Sequence, residues 1–345
     1  MFFGSDNTSP VAPQIMDALS KANAGYRASY GNDTEMDEVR RLVRETFEAP
    51  HAEVYLVATG TTANVLSLAT LVQPWQAIYC HRKAHIAVDE CGAPEFYTGG
   101  AKLEYVDGTH GKMTPDALET AIAAQVKGDV HSVQPGALSL TNVTEAGTVY
   151  SADELAALNT LAKSHGVRTH LDGSRFGNAV VSTGATPAEL SWKAGVEVLS
   201  FGGTKNGLMG AEAVILFDPD LAWEFELRRK RGGHLFSKHR YLSSQMAAYL
   251  TDGLWLELAK HSNAAAAKLS AGLQALPDVE LLHPVEANLI FAELPRGLHR
   301  RAIEAGAKYS GVDLNGDDNE VLASRLVCSW STTDEDIETF LSHLE

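Results

Sequence analysis

The 345-residue chain carries 28 lysines and arginines against 44 aspartates and glutamates, a formal charge of −16, with 45% apolar and 21% charged residues. Those proportions belong to a globular protein with one large core and room for a second, smaller domain, and they exclude disorder as its main state. The acidic balance excludes general binding to nucleic acid or to an anionic membrane, since both need a basic face.

No apolar run approaches the length of a membrane span, and Met1-Phe2-Phe3-Gly4-Ser5-Asp6 has neither a basic region nor a signal-type apolar core. Cys80, Cys91 and Cys328 lie far apart without a CxxC pair. That predicts a reducing cytoplasm rather than a disulfide framework or a structural zinc. The Asn-x-Ser/Thr triplets at Asn7, Asn32 and Asn142 are then chance matches.

In chain order, residues 1–12 are polar and punctuated by Pro10, with Pro13 just beyond, and read as an N-terminal arm. A turn-rich stretch with two tyrosines follows (GYRASYGND, 25–33). Thr34 is expected to cap a helix through about Phe47, with Val39, Leu42, Val43 and Phe47 as its apolar stripe. Strands and helices then alternate. Strands are predicted at 54–58, 77–80, 103–106, 137–140, 167–172, 196–201 and 213–217. Thr59-Gly60-Thr61-Thr62 opens one helix, and Thr114-Pro115 another that runs to about Val126. Ser151 with Glu154 is a capping box, and Gly166 stops the helix it opens. The alternation predicts an α/β fold: a mostly parallel sheet of about seven strands with helices on both faces. Ligands of such sheets collect at the carboxyl ends of the strands, and Gly60, Asp172 and Lys205 all fall there.

After Pro219 the texture changes. Residues 226–240 (ELRRKRGGHLFSKHR) form a basic island in an acidic chain. A helix over about 254–276, strands near 279–282 and 288–293, a short helix, a strand at 325–330 and a last helix capped by Thr333 make a smaller α+β unit. The expected division is an arm to residue 12, a large domain over 13–245 and a small domain over 246–345.

Three motifs carry candidate chemistry. Lys205 follows a buried strand and two glycines; the plain alternative is a solvated turn lysine, the chemical one a Schiff-base lysine. Asp172 ends a strand, and Arg175 follows three residues on. A carboxylate buried there needs a cation or strong donors, which Arg175 or a protonated ring nitrogen would supply. The helix start Thr59-Gly60-Thr61-Thr62-Ala63-Asn64 suits a phosphate, although it is also an ordinary threonine cap. No GxGxxG or GxxxxGK[ST] supports a nucleotide. His85 and Asp89 stand one helical turn apart, yet no third ligand is near, so no metal is expected and a histidine stacked on a ring is preferred.

Together these residues resemble the threonine aldolases, pyridoxal-phosphate enzymes of the aspartate-aminotransferase-like fold class (fold type I), and most of all their low-specificity, phenylserine-aldolase-like bacterial branch. The resemblance rests on Ser5-Asp6-Asn7, Tyr30-Gly31-Asn32-Asp33, the Thr59–Asn64 turn, Ala84-His85 with Asp89-Glu90-Cys91-Gly92, and Asp129-Val130-His131. It continues in Thr144–Tyr150, Leu171–Phe176, Phe201–Gly207 and Arg325–Trp330, in that order along nearly the whole chain.

The resemblance implies roles. Lys205 would hold pyridoxal 5'-phosphate as a Schiff base, Asp172 would pair with its ring nitrogen and His85 would stack on the ring. Gly60 and Thr61 would hold the phosphate, with Thr204 beside the lysine. Arg175 and Arg325, with Ser5 and Tyr30, would hold the substrate. His131 would sit near the substrate side chain and Glu90 near the ring. The base is expected to be His85, His131 or a water between them. Lys230 or Lys238 of the basic island would reach a neighbouring subunit's phosphate in a homo-oligomer, a tetramer or at least a dimer sharing active sites. The implied reaction is reversible cleavage of L-threonine, L-allo-threonine or phenylserine to glycine and an aldehyde, with another lyase or a transaminase on the same fold as the alternative.

Overall fold

The strands alternate apolar residues between two faces, and both faces are covered. The computed structural model describes all 345 residues. Its strands are β1 (Glu53–Val57), β2 (Gln76–His81), β3 (Lys102–Val106), β4 (Gln134–Thr141), β5 (Arg168–Gly173), β6 (Val198–Phe201) and β7 (Glu212–Leu216), followed by β8 (Glu280–Leu281), β9 (Leu289–Pro295) and β10 (Val321–Val327). The helices are α1 (Pro13–Ala22), α2 (Thr34–Thr46), α3 (Gly60–Leu71), α4 (His85–Val88), α5 (Ala93–Thr98), α6 (Pro115–Ala123) and α7 (Ala152–Ser164). They continue with α8 (Phe176–Thr183), α9 (Ala222–Arg231), α10 (Arg240–Leu250), α11 (Leu254–Gln274), α12 (Arg296–Glu304) and α13 (Asp334–Ser342). None is long and apolar enough to cross a membrane.

The seven-stranded sheet has the order β1-β7-β6-β5-β4-β2-β3. Four parallel pairings join the five strands β6, β5, β4, β2 and β3, while β7 runs antiparallel to both β6 and β1. The expected mostly parallel sheet is therefore present, with one reversed strand. Val54, Leu56, Leu199, Phe201, Ala213 and Ile215 face one layer with α1, α2, α7, α10 and part of α11. Their alternates Tyr55, Val57, Val198, Val214 and Leu216 face α3 and α9. This period of two follows from the strand pleat. A three-stranded antiparallel sheet, β10-β9-β8, packs its own core of Leu269, Ile290, Leu326, Ile337 and Phe340.

Two local readings change. Asp33, not Thr34, caps α2 by accepting the Met36 N–H, because the aspartate is one residue earlier in the extended conformation that a cap requires. The first residues are also no free arm. Phe3 is fully buried in the small core, its N–H donates to Lys308 O at 2.7 Å, and its carbonyl accepts the Val327 N–H at 2.8 Å.

Phe201 closes the carboxyl end of β6 and packs edge-on against Phe47, Phe176 and Trp255. Phe201→Ala removes a fully buried aromatic from this cluster. Urea unfolding is expected to show a loss of about 3–5 kcal/mol without a change of slope.

Candidate active site

Strand direction decides which side chains meet. Asp172 stands near the carboxyl end of β5, Lys205 follows β6, the Thr59-Gly60-Thr61 turn follows β1, and His85 opens α4 after β2. These residues, with Asn7, Asn64, Ser174, Thr204 and Glu212, line a cavity of about 240 Å³. Glu212 joins them because β7 is reversed, so its first residue arrives at the edge where its neighbours end.

The lysine turn has almost no freedom. A Cβ on Gly202 would collide with the Ser174 carbonyl, and one on Gly203 with Leu208 and the Ala211 backbone. Asn206 donates to the Tyr249 hydroxyl at 2.7 Å and to Trp255 O at 2.8 Å, tying the turn to α10 and α11. Lys205 itself reaches into the cavity, with Nζ 3.4 Å from Ser174 Oγ.

Asp172 faces this lysine and is only 3% exposed. Its Oδ1 accepts the Ser174 N–H at 3.0 Å and its Oδ2 the Asn64 side-chain N–H at 2.9 Å. Burial works to raise its pKa, but the charges of Lys205 and His85 outweigh it and hold the group below the ordinary carboxylate range. Asn64 Nδ2 also donates to Glu90 Oε1 at 2.9 Å, and His85 Nδ1 lies 2.7 Å from that same oxygen. Asp172, Asn64, Glu90 and His85 thus form one chain of hydrogen bonds, buried except at the partly exposed His85. Burial raises the Glu90 carboxyl, and Glu90 in turn raises His85 by bonding its imidazolium. Beneath them His170 donates to or accepts from Ser139 and Ser200, both at 3.0 Å, and burial lowers it to about 4, so it stays neutral.

The helix start is built for an anion. Thr59 caps α3 through the Thr62 N–H at 3.2 Å, and the N–H groups of Gly60 and Thr61 belong to the unpaired first turn. Nothing lies within 4 Å of where a Gly60 Cβ would stand, so the backbone is open to an approaching group.

A second constellation joins the amino-terminal segment to the turn after β5, to β10 and to the residue before β9. Arg175 is fully enclosed, donating from Nε to Asp6 Oδ2 at 2.7 Å and from Nη2 to Asp6 Oδ1 at 3.1 Å. Asn288 Nδ2 donates to the same carboxylate at 3.1 Å. Arg325, on β10, donates from Nη2 to Gly4 O at 3.0 Å. Burial would raise Asp6, but Arg175 and, beyond it, Lys205 hold it below its ordinary value of 3.8. Arg175 Nη1 and Arg325 Nε are buried without a partner.

A model of the beta-eliminating lyase family matches residues 3–295. A low specificity L-threonine aldolase of Pseudomonas is 40% identical over 332 residues, which cover 96% of this chain and 93% of the other. The chain belongs to this family. A threonine aldolase structure from Leishmania major superposes with a TM-score of 0.92 at 29% identity, covering 99% and 98% of the two chains. A Sphingomonas wittichii serine palmitoyltransferase, at 15% identity and a TM-score of 0.74 over 100% and 86%, shares the fold alone. The family's cofactor is pyridoxal 5'-phosphate. The cavity fits it: a lysine at one end, a carboxylate held ionised within, and free N–H groups with a glycine cradle at the anion end. The buried Thr204 hydroxyl, which lacks a full hydrogen bond, is a further donor.

Not every expected residue reaches this cavity. His131 is exposed just before the amino end of β4, on the opposite edge of the sheet, with its N–H on Asp129 Oδ1 at 2.9 Å. The reason is strand polarity, and it leaves His85 as the imidazole of this chain's own site. Ser5 uses its side chain to cap the turn at Asp6–Thr8 and does not line the cavity. Tyr30 is 46% exposed, and the ammonium of Lys230 stands 5.2 Å from its ring centre on the outer surface. Lys238 is exposed in the loop before α10. Arg175 is not free to grip a ligand with its whole fork, because Asp6 already takes two of its nitrogens. Three contributors escaped the sequence reading: Asn64, whose two-carboxylate bridge has no signature beyond its place in the helix-start motif, Asp6, whose partner is 169 residues away, and Glu212, whose strand was expected to begin at residue 213.

Removing the Asp6 carboxylate strands a buried guanidinium, so Asp6→Ala is expected to cost roughly 3–5 kcal/mol in urea unfolding of the cofactor-free protein. Because the Asp6 pKa is depressed in the folded state, its stabilisation is present above 3.8 and disappears as the pH falls through the lower folded value. The acid limb of stability in Asp6→Asn is expected to be shallower than in the wild type.

Proposed function

We propose that the protein cleaves L-β-hydroxy-α-amino acids, threonine and allo-threonine among them, reversibly to glycine and an aldehyde. The observation that carries this reading is the Asp172–Asn64–Glu90–His85 chain, of which Asp172, Asn64 and His85 line one cavity with Lys205. Bound pyridoxal phosphate supplies an electron sink for the pair left when a bond to Cα breaks. Lys205 would hold the cofactor covalently. Asp172, kept ionised, would pair with its ring nitrogen, Gly60, Thr61 and Thr204 would hold its phosphate, and His85 would flank it. Glu90 fixes His85 Nδ1, and Nε2, which stands 3.5 Å from the exposed Asp89 carboxylate, is the atom proposed to accept the β-hydroxyl proton and later return one.

Arg325 and the remaining edge of Arg175 form the substrate carboxylate site. Their unpartnered nitrogens support this reading, and charge-assisted bonds of this type contribute on the order of 1.5–3 kcal/mol each. Asp6 acts by holding Arg175 in place rather than by touching substrate.

The active assembly is proposed to be a homo-oligomer, a tetramer or at least a dimer sharing sites, in which Tyr30, Lys230 and Lys238 face a neighbouring subunit's cavity. A surface groove of about 790 Å³ between α3, α5 and α9 supports self-association, with Phe96 80% exposed and Leu227 51% exposed beside it. The three cysteines are unpaired, in keeping with a cytoplasmic site of action.

Lys205→Ala is expected to lose acetaldehyde release from threonine and the visible band of the bound cofactor; a wild-type rate would refute the assignment. Steady formation of glycine, rather than pyruvate or another keto acid, separates this reading from other lyases and transaminases. Light scattering at micromolar concentration tests the assembly, and a fully active monomer would refute the shared site.

The acid limb of kcat/KM is expected to lie above 6.5, the ordinary value for histidine, since Glu90 raises His85 and only the neutral base accepts a proton. Glu90→Gln removes the charge that holds the imidazolium, so the acid limb moves to lower pH.

A further inference from the structure

Behind the anion end of the cavity runs a line of hydrogen bonds that crosses three parts of the fold. The Tyr97 hydroxyl, on α5, stands 2.6 Å from His234 Nε2. His234 Nδ1 stands 3.4 Å from Thr62 Oγ1, the longest link, and Thr62 Oγ1 stands 2.8 Å from Thr59 Oγ1. Thr59 lines the cavity, and Thr62 is buried behind it. His234 belongs to the basic island just after α9, where its N–H donates to Arg229 O at 2.9 Å. Gly232 leaves room for the two rings, since a Cβ there would stand 3.0 Å from His234 Cδ2 and 3.2 Å from Tyr97 Cε1.

One hydrogen decides which way these bonds point. Burial lowers the His234 pKa, so at neutral pH the ring is uncharged and carries its hydrogen on one nitrogen only. With that hydrogen on Nε2, Nδ1 would draw in the Thr62 hydroxyl hydrogen, and Thr62 Oγ1 would take the hydrogen of Thr59. Thr59 would then turn a lone pair toward the cavity, which repels an anion. With the hydrogen on Nδ1 every bond reverses. Tyr97 donates to Nε2, Nδ1 donates to Thr62 Oγ1, and the Thr62 hydroxyl donates to Thr59 Oγ1. That oxygen also accepts the Thr62 N–H at 3.2 Å, so both its lone pairs are engaged and its own hydrogen is left for the cavity. Tyr97 favours this second arrangement. A phenol hydroxyl donates more strongly than a neutral imidazole N–H, and a bare ring nitrogen accepts better than a phenol oxygen.

We propose that Tyr97 and His234 are positioning residues for the cofactor's phosphate, fixing the hydroxyl hydrogens at the start of α3 so that Thr59 faces the cavity as a donor. Neither side chain lines the cavity. Their effect passes through Thr62 and Thr59, beside the N–H groups of Gly60 and Thr61. A donor already turned outward need not reorient when a negative group arrives, which is the advantage of a preorganised site over water. The proposal rests on the Thr59–Asn64 helix start being the phosphate seat.

The test compares the binding of pyridoxal phosphate to stripped enzyme with that of pyridoxal, which has the same ring and aldehyde but no phosphate. Tyr97→Phe keeps the ring and removes the donor. It is expected to weaken pyridoxal phosphate roughly tenfold, the scale of a hydrogen bond to a charged group, and to leave pyridoxal at the wild-type affinity. A merely structural tyrosine would move both or neither, and either result overturns the proposal. Thr62→Val cuts the line, so adding Tyr97→Phe to it is expected to change nothing further; additive losses overturn the proposal. Nitrogen-15 NMR of His234 in the loaded wild type needs no variant to fold. It is expected to show Nδ1 protonated and Nε2 bare, and any other pattern of protonation overturns the proposal. Gly60→Val separates the two levels of inference. If it leaves the preference for pyridoxal phosphate over pyridoxal intact, the seat is misassigned and the proposal falls with it. If it abolishes that preference while Tyr97→Phe is silent, only the roles of Tyr97 and His234 fail.

Discussion

A carboxylate kept ionised while enclosed in protein is the constraint around which this site is arranged. An isolated Asp172 at 3% exposure would neutralise itself rather than bear the desolvation of a charge. It stays ionised because the ends of several elements bring it partners: the Ser174 N–H from the turn after its own strand, the Asn64 amide from α3, and positive charge from Lys205 and His85. Each partner is itself held. Glycine contacts lock the lysine turn, Glu90 orients the imidazole, and the cap at Thr59 sets the helix that carries Asn64. The cavity is therefore preorganised by the same bonds that keep its central charge tolerable, which is how a protein environment stabilises charge without rearranging during a reaction.

The second arrangement of this kind lies where three parts of the chain converge. Asp6 neutralises Arg175 and takes a bond from Asn288, while Gly4 accepts from Arg325. Neither guanidinium is fully satisfied by these contacts. The amino-terminal segment thus positions the cationic groups and leaves donor capacity on each, a compromise between rigidity and the ability to bind.

Much of this was legible in sequence because it follows from local rules. The strands from β1 to β7 showed as apolar runs, α7 as a capping box, and Gly60, Asp172 and Lys205 as residues at strand ends. What stayed hidden depends on direction and distance. Nothing in residues 212–216 says that β7 runs backwards, yet that reversal carries Glu212 to the site. His131 looked equivalent to His85 by residue type, but it precedes its strand where His85 follows one, and the sheet's length separates the two edges. Arg175 was recognisable as a partner for an acid; that the acid is Asp6, far away in sequence, is a tertiary fact with no local trace.

The attachment of the first residues has a consequence for how the molecule comes to be folded. Phe3 bonds to Lys308 and Val327, and Gly4 to Arg325, so the earliest part of the chain is seated by strands more than 300 residues later. Loop-closure entropy makes such contacts late ones, rewarded only once the intervening chain is already ordered. The cofactor cavity draws its lysine, aspartate and glycine turn from residues 60–205, which can assemble earlier, whereas the arginine pair waits for the two ends of the chain to meet. The parts proposed to hold the cofactor and the parts proposed to grip the substrate are thus separable in folding time.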